Sequence, residues 1–257
     1  MSPIVGTICS PAAGRLRASS GGGGTALFAD DFSSGNFSKT ENGVSWGGQV
    51  NVAVVTNFGR QSGCSARFNF ASGWSELRFV FANGPYPEIY QRYYIYYPNG
   101  AESPSVGPRV ASTTNNSKFS RIYSLPENQY PRRGASTYGT TPSGDKTLGP
   151  QAGIFPGTGT VSQIPSLIAP WLVDANRGRW IKIEFYDKGS TSAGAPNGIQ
   201  TIWIDDVQVN NVTTINDYEA PGRGFDGGYL QGADNAMTNA GTFVYITDVA
   251  FSTTGRV

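Results

Sequence analysis

Apolar and polar residues alternate along much of this chain with a period of two. Positions 76–81 set Leu77, Phe79 and Phe81 against Glu76, Arg78 and Val80, and positions 180–186 set Ile181, Ile183 and Phe185 against Lys182 and Glu184. That period marks a β-strand with one face on a core. Further strands are predicted at 27–32, 50–55, 66–70, 89–97, 118–124, 199–209, 229–231 and 242–252. Turn clusters punctuate them at Ser33-Ser34-Gly35-Asn36, Asn83-Gly84-Pro85 and Asn197-Gly198, and Asp205-Asp206 can turn the 199–209 segment into a second short strand. The only helical candidate is 166–175, one turn or a short helix capped by Ser166. The polar stretches 100–117 and 126–165, rich in Pro, Gly, Ser and Thr, read as long loops of the functional or mobile kind. Many short strands without helices predict an all-β fold, a two-sheet antiparallel jelly-roll β-sandwich over 27–257. Residues 1–26, with Pro3, Pro11 and glycines at 21–24, predict a flexible N-terminal arm. That arm is either a disordered tail or a segment that orders against a partner.

Composition narrows the chemistry. Charged residues make up only 14% of the 257 and the net charge is +1, with no long basic block, which argues against a nucleic-acid partner. No apolar run is long enough for a membrane span. No signal peptide is visible in the first twenty residues, leaving a cytosolic protein, one shorn of its leader, or one released by lysis as virion proteins are. The chain has no histidine, which removes histidine base catalysis, Ser-His-Asp triads and the commonest metal ligand. Cys9 falls in the arm and Cys64 in a strand region. Whether they pair stays open, with the balance against a disulfide, since a domain this large does not need one.

Three groups of segments resemble the concanavalin A-like lectin/glucanase superfamily, above all its polysaccharide-lyase-like branch and related phage and bacterial surface proteins. The first is Ser75-Glu76-Leu77-Arg78-Phe79 followed by the aromatic run 88–98; the second is 115–122, from Asn115-Asn116 to Arg121-Ile122; the third is Gly178-Arg179-Trp180-Ile181-Lys182-Ile183-Glu184 with 198–206. The family turn commonly carries Gly where this chain has Asp206. The closing segments, Gly227-Gly228-Tyr229 through Tyr245-Ile246-Thr247-Asp248-Val249, are also similar to that family. The resemblance implies the sandwich fold and a carbohydrate-related surface. In the lyase-like branch it implies basic residues that neutralise a uronate carboxylate while a tyrosine moves the proton.

The candidate site residues follow from strand parity. On the segment 88–97, Glu88, Tyr90, Arg92, Tyr94 and Tyr96 share one face, opposite Ile89, Gln91, Tyr93, Ile95 and Tyr97. The first face is expected to look outward as a glycan-contact row, because tyrosine stacks on sugar rings and arginine forks onto carboxylates. The alternative is an amphipathic outer strand whose tyrosines pack under loops. Lys118 and Arg121 join Arg92 in a lyase-like set, although three-residue spacing puts them on opposite faces of a regular strand. Trp74, after Gly73, is the candidate exposed platform, while Trp46, Trp171, Trp180 and Trp203 are expected in the core. Glycoside hydrolysis finds no acid-x-acid-x-acid strand. Asp30, Asp31 and Asp248 form a candidate Ca2+ site where first and last strands meet. The leading expectation is a non-enzymatic surface module, glycan-binding and/or virion-associated (capsid decoration or tail), extracellular or on a virion surface. Its partners would be a polysaccharide or cell-surface glycan and, through the arm, other virion proteins. The alternatives are a polysaccharide lyase acting on a uronate-containing polymer by β-elimination, and a purely structural capsid cement protein.

Overall fold

The computed structural model describes residues 9, 23–70, 73–98, 116–126, 129–139, 146–153, 161–163, 167–168, 178–218, 220–233 and 243–257. Its secondary structure is β throughout, in two antiparallel sheets that pack as a jelly-roll sandwich. The eight-stranded sheet holds β1 (Phe28–Asp30), β4 (Val52–Val55), β5 (Ser65–Asn69), β7 (Glu88–Tyr96), β13 (Trp180–Lys188), β14 (Gly198–Ile204), β15 (Val207–Ile215) and β17 (Phe243–Ser252), along the path β15-β14-β13-β7-β17-β5-β4 with β1 also on β17. The nine-stranded sheet holds β2 (Thr40–Glu41), β3 (Val44–Val50), β6 (Trp74–Phe81), β8 (Asn116–Ser124), β9 (Gln129–Gly139), β10 (Lys146–Gly153), β11 (Val161–Gln163), β12 (Leu167–Ile168) and β16 (Gly227–Ala233), along β11-β10-β9-β8-β16-β6-β3-β2 with β12 on β10. Among the described residues no helix is long and apolar enough to cross a membrane.

Period two decides which side chains meet between the sheets. Leu77, Phe79 and Phe81 of β6 face inward, as do Ile89, Tyr93 and Ile95 of β7 and Ile181, Ile183 and Phe185 of β13. Phe251 of β17 ties the layers together, its ring 4.6 Å from that of Phe79 and 5.1 Å from that of Phe81. Burying each ring fully contributes on the order of 2–3 kcal/mol by removing its apolar surface from water. Between β14 and β15, Asp205 and Asp206 take φ values of 48° and 68°. Two positive-φ residues make the tight turn whose twist suits a hairpin, so Asp206 takes a conformation that glycine would adopt without strain. Its carboxylate also accepts from Lys182 Nζ and from Arg256 Nη2, each at 2.9 Å.

Several expectations need correcting. The strand 44–50 is invisible to a period-two search because Gly47-Gly48 interrupts it, and a bulge between Trp46 and Gln49 shifts its pairing with β6. The supposed loop 126–165 contains β9, β10 and β11; their Gly, Pro, Ser and Thr content hides strands that main-chain ladders hold. Of the helical candidate 166–175, the described residues are Leu167–Ile168, which pair with β10 as a strand, and the rest lies outside the described residues. Cys9 and Cys64 form a disulfide, with both residues in the core cluster. Residues 24–27 lie along the C-terminal segment, with Gly24 N donating to Arg256 O at 3.1 Å and Leu27 N to Phe251 O at 2.7 Å. The flexible-arm expectation otherwise falls outside the described residues.

The interior also holds charge. Asp187 at the end of β13 is fully buried, and burial pushes its carboxyl from 3.8 up to about 7, against the pull of Arg133 and of a 3.1 Å hydrogen bond from Gln200 Nε2, and with Asp217 pushing the same way. A carboxyl with a folded pKa above its unfolded one holds its proton more tightly in the folded state. Its stabilising share is complete below about pH 4 and disappears as the pH rises through 7, with a slope of up to about 1.4 kcal/mol per pH unit. Denaturant melts at pH 4, 5.5 and 7 are therefore expected to give a steeper loss for the parent than for Asp187→Asn; equal slopes would remove Asp187 as the cause.

Candidate functional site

β7 keeps the predicted parity, but its outer row is not an open strip. Tyr94 and Tyr96 lie under the 56–64 connection: Arg60 sits over the Tyr94 ring at 3.8 Å, and Phe58 packs on Tyr96 at 4.8 Å and on Trp180 at 5.7 Å. Tyr96 is 7% exposed and Arg92 8%. At the other end of the row Tyr90 and Tyr186 stack with ring centroids 4.5 Å apart, and Tyr186 Oη donates to Glu88 Oε2 at 2.6 Å. Burial, and the Glu88 carboxylate beside them, push both phenol pKa values up, so both remain hydroxyl donors. Trp180 and Trp203 are on this outer face rather than in the core, because Ile181, Ile202 and Ile204 take the inward parity.

The predicted lyase set does not form one site. Ser120 Oγ of β8 donates to Gln91 Oε1 of β7 at 3.2 Å across the buried interior. The two strands are therefore back to back, and Arg92 and Arg121, one residue beyond each, leave on opposite sides of the sandwich. A second finding concerns Lys118. It pairs with Ser136, and a bulge between Lys118 and Ser120 adds one residue to the strand. The odd spacing to Arg121 is thereby cancelled, and the register gives positions 118 and 121 the same parity.

Arg121 and Trp74 belong to the outer face of the nine-stranded sheet, where cross-strand pairing assembles a different set. Arg78 of β6 is opposite Tyr229 of β16, and Tyr229 is opposite Arg121 of β8. The next row brings Gly227, Tyr123 and Arg132 together. Arg121 lies over the Tyr229 ring at 5.9 Å, and Tyr229 meets Tyr123 edge-on at 6.1 Å. The three arginines are half-buried, and the two tyrosines are buried beneath them. One row further along, Glu76 pairs with Gln231. Both side chains are buried; Glu76 holds Arg78 through one oxygen, while Glu76 Oε2 and Gln231 Nε2 have no hydrogen-bond partner. Gln231 also has a φ of 60°, unusual for a residue with a side chain. Strained backbone and unsatisfied buried polar groups cluster at functional sites. Trp74, half-buried, ends the β6 side of this face. Arg78, Glu76, Tyr123, Arg132, Tyr229 and Gln231 escaped the sequence reading. The polar half of the 76–81 alternation was the available clue for the first two; the others need the strand order.

The calcium candidates are engaged with protein donors. Asp30 accepts from Trp46 Nε1 at 2.6 Å and from the Phe32 amide at 2.8 Å; Asp31 accepts from the Ser33 amide at 3.0 Å; Asp248 accepts from Arg60 Nη1 at 2.9 Å. Burial pushes the Asp30 and Asp248 carboxyls up, favouring their protonated forms. Among the described residues no group of three or more acidic, cysteine or histidine side chains is placed to hold a metal.

No family model and no curated protein matches the sequence. The fold does have relatives among solved structures. It is similar to the alginate lyase vAL-1 from Chlorella virus, with a TM-score of 0.60 and 11% identity, covering 89% of this chain and 99% of that one. It is similar to the endo-β-1,4-glucuronan lyase of the fungus Trichoderma reesei, with a TM-score of 0.58 and 13% identity over 90% of this chain and 96% of that one. It also matches a mutant alginate lyase Aly36B solved with alginate trisaccharide, with a TM-score of 0.55 and 11% identity over 81% and 87% of the two chains. The likeness establishes the concanavalin A-like sandwich fold.

Proposed function

We propose that this protein recognises a uronate-containing polysaccharide along the outer face of its nine-stranded sheet. The observation that carries the reading is the cross-strand row Arg78–Tyr229–Arg121, flanked by Arg132. Three guanidinium groups gathered on one face suit a repeating carboxylate, since arginine binds carboxylates with two parallel hydrogen bonds. Three solved lyases of the same fold act on alginate or glucuronan by name. The Cys9–Cys64 disulfide supports an oxidising, extracellular setting. The virion-attachment role weighed for residues 1–26 gains no support from Cys9, which is committed to Cys64.

The expected result is binding to alginate or glucuronan that weakens as salt rises, because screened charges carry it. Arg121→Ala and Arg78→Ala are each expected to weaken that binding about tenfold, read by calorimetric titration. Salt-independent binding, or full affinity in both variants, would sink the proposal.

Cleavage by β-elimination is the second reading, favoured by Tyr229 between two arginines. An arginine on the uronate carboxylate would acidify the neighbouring C–H. One tyrosine, as its phenolate, would take that proton, the electron pair would form the C=C bond, and the C–O bond to the next sugar would break, its oxygen taking a proton from the hydroxyl of the second tyrosine. That route requires a phenol now buried to reach the sugar. Rising ultraviolet absorbance from unsaturated uronate ends, lost in Tyr229→Phe and Tyr123→Phe together, is the expected signature; binding with flat absorbance leaves a lectin.

A further inference from the structure

On the opposite side of the sandwich, the outer face of the eight-stranded sheet contains a cavity of about 470 Å³ lined by Tyr90, Tyr186, Thr201, Trp203, Asn211 and Arg256, among others. We infer that this cavity is a second saccharide site, built for an uncharged sugar ring. The stacked pair Tyr90 and Tyr186 forms one wall. Trp203, backed by the Arg256 guanidinium 4.7 Å from its ring, forms the other. Aromatic walls suit the apolar faces of a pyranose.

The floor supplies polar groups in the right supply and sign. Thr201 Oγ1 donates to Asn211 Oδ1 at 3.0 Å, which orients the Asn211 amide and leaves its NH2 for a ligand. Gln208 and Thr213, both exposed, complete the lining with hydroxyl and amide groups. The charges here are already committed. Arg256 is paired with Glu184 and Asp206, Lys182 with the same two carboxylates, and Glu88 takes the Tyr186 hydroxyl. No cation in this lining is left over for a uronate. The cavity therefore fits a neutral hexose or pentose unit rather than an acidic one.

This site stands apart from the uronate proposal, and its test separates the two. Cellohexaose, xylohexaose and mannohexaose would be titrated into the full chain, read by ligand-observed NMR and calorimetry. At least one is expected to bind at about 1 mM or tighter, with affinity indifferent to salt. Asn211→Ala and Trp203→Ala are each expected to reduce it about tenfold. Asn211 is exposed at the sheet's edge, so its variant should retain the parent melting curve and whatever alginate affinity the parent has. If Trp203→Ala does not fold, Trp203→Phe and Gln208→Ala replace it, with a loss of affinity again the expected result. Failure of all three hexaoses to bind, or full affinity in Asn211→Ala and the tryptophan variant, would overturn the inference.

Discussion

Replacing Arg133 with alanine is expected to cost about 3–5 kcal/mol of folding stability, a third or more of what a domain usually has. Arg133 is on the inward side of β9 in the nine-stranded sheet, and its side chain has no exposure. It reaches across to the other layer, pairing with Asp217 and donating to Lys188 O at 2.6 Å and Ile199 O at 3.4 Å. Asp217 in turn accepts from the amide and hydroxyl of Ser190 at 3.0 and 2.9 Å. Gly198 leaves room for the guanidinium, since a Cβ there would lie 2.7 Å from Arg133 Nη2. Truncating Arg133 strands a buried carboxylate and two carbonyls, and the cost is that desolvation rather than the worth of the ion pair. The check is a double-mutant cycle in denaturant. Arg133→Ala with Asp217→Ala should cost much less than the sum of the single changes; strict additivity would mean the two groups do not act as a unit.

The disulfide comes next in size. Cys9 and Cys64 are separated by 55 positions, with Cα atoms 6.2 Å apart, inside the usual range for a bridged pair. Closing a loop of that length removes unfolded-chain entropy worth about 4 kcal/mol. Cys9→Ser with Cys64→Ser, or reduction of the parent, is thus expected to lower Tm by about 8–16 °C for a domain of this size. Mass spectrometry of the unreduced protein gives the independent check. Two alkylatable thiols in the native state would refute the pairing and with it the predicted shift. Cys64 also anchors the end of the connection that covers Tyr94, and its carbonyl accepts from Thr247 Oγ1 at 3.0 Å. The same variant should therefore loosen that cover along with the global fold.

What the sequence disclosed tracks where a single strand contains its own evidence. β6, β7 and β13 alternate apolar with polar residues, so alternation alone identified their type and the inward residues Leu77, Phe79, Phe81, Ile89, Tyr93, Ile95, Ile181, Ile183 and Phe185, while it misplaced Trp180 and Trp203 in the core. β9 and β10 contain Pro131 and Pro150 and little apolar pattern, so Arg133 was lost inside a supposed loop. The candidate site suffered differently. Trp74, Lys118 and Arg121 were picked out, yet they were grouped with Arg92 because local parity cannot say which strands are neighbours. The row Arg78–Tyr229–Arg121 joins residues more than a hundred positions apart, and only the strand order brings them together. Strand order is a product of long-range pairing, which no local window contains.

The extra residue between Lys118 and Ser120 behaves like a half-step inserted in a two-beat rhythm. Deleting Phe119 alone would close the bulge and leave positions 116–118 in their present register with β9, whereas removing a second residue beside it would shift that register by one. A designer can accordingly trim this stretch by the one surplus residue and straighten the strand without turning over the positions before it.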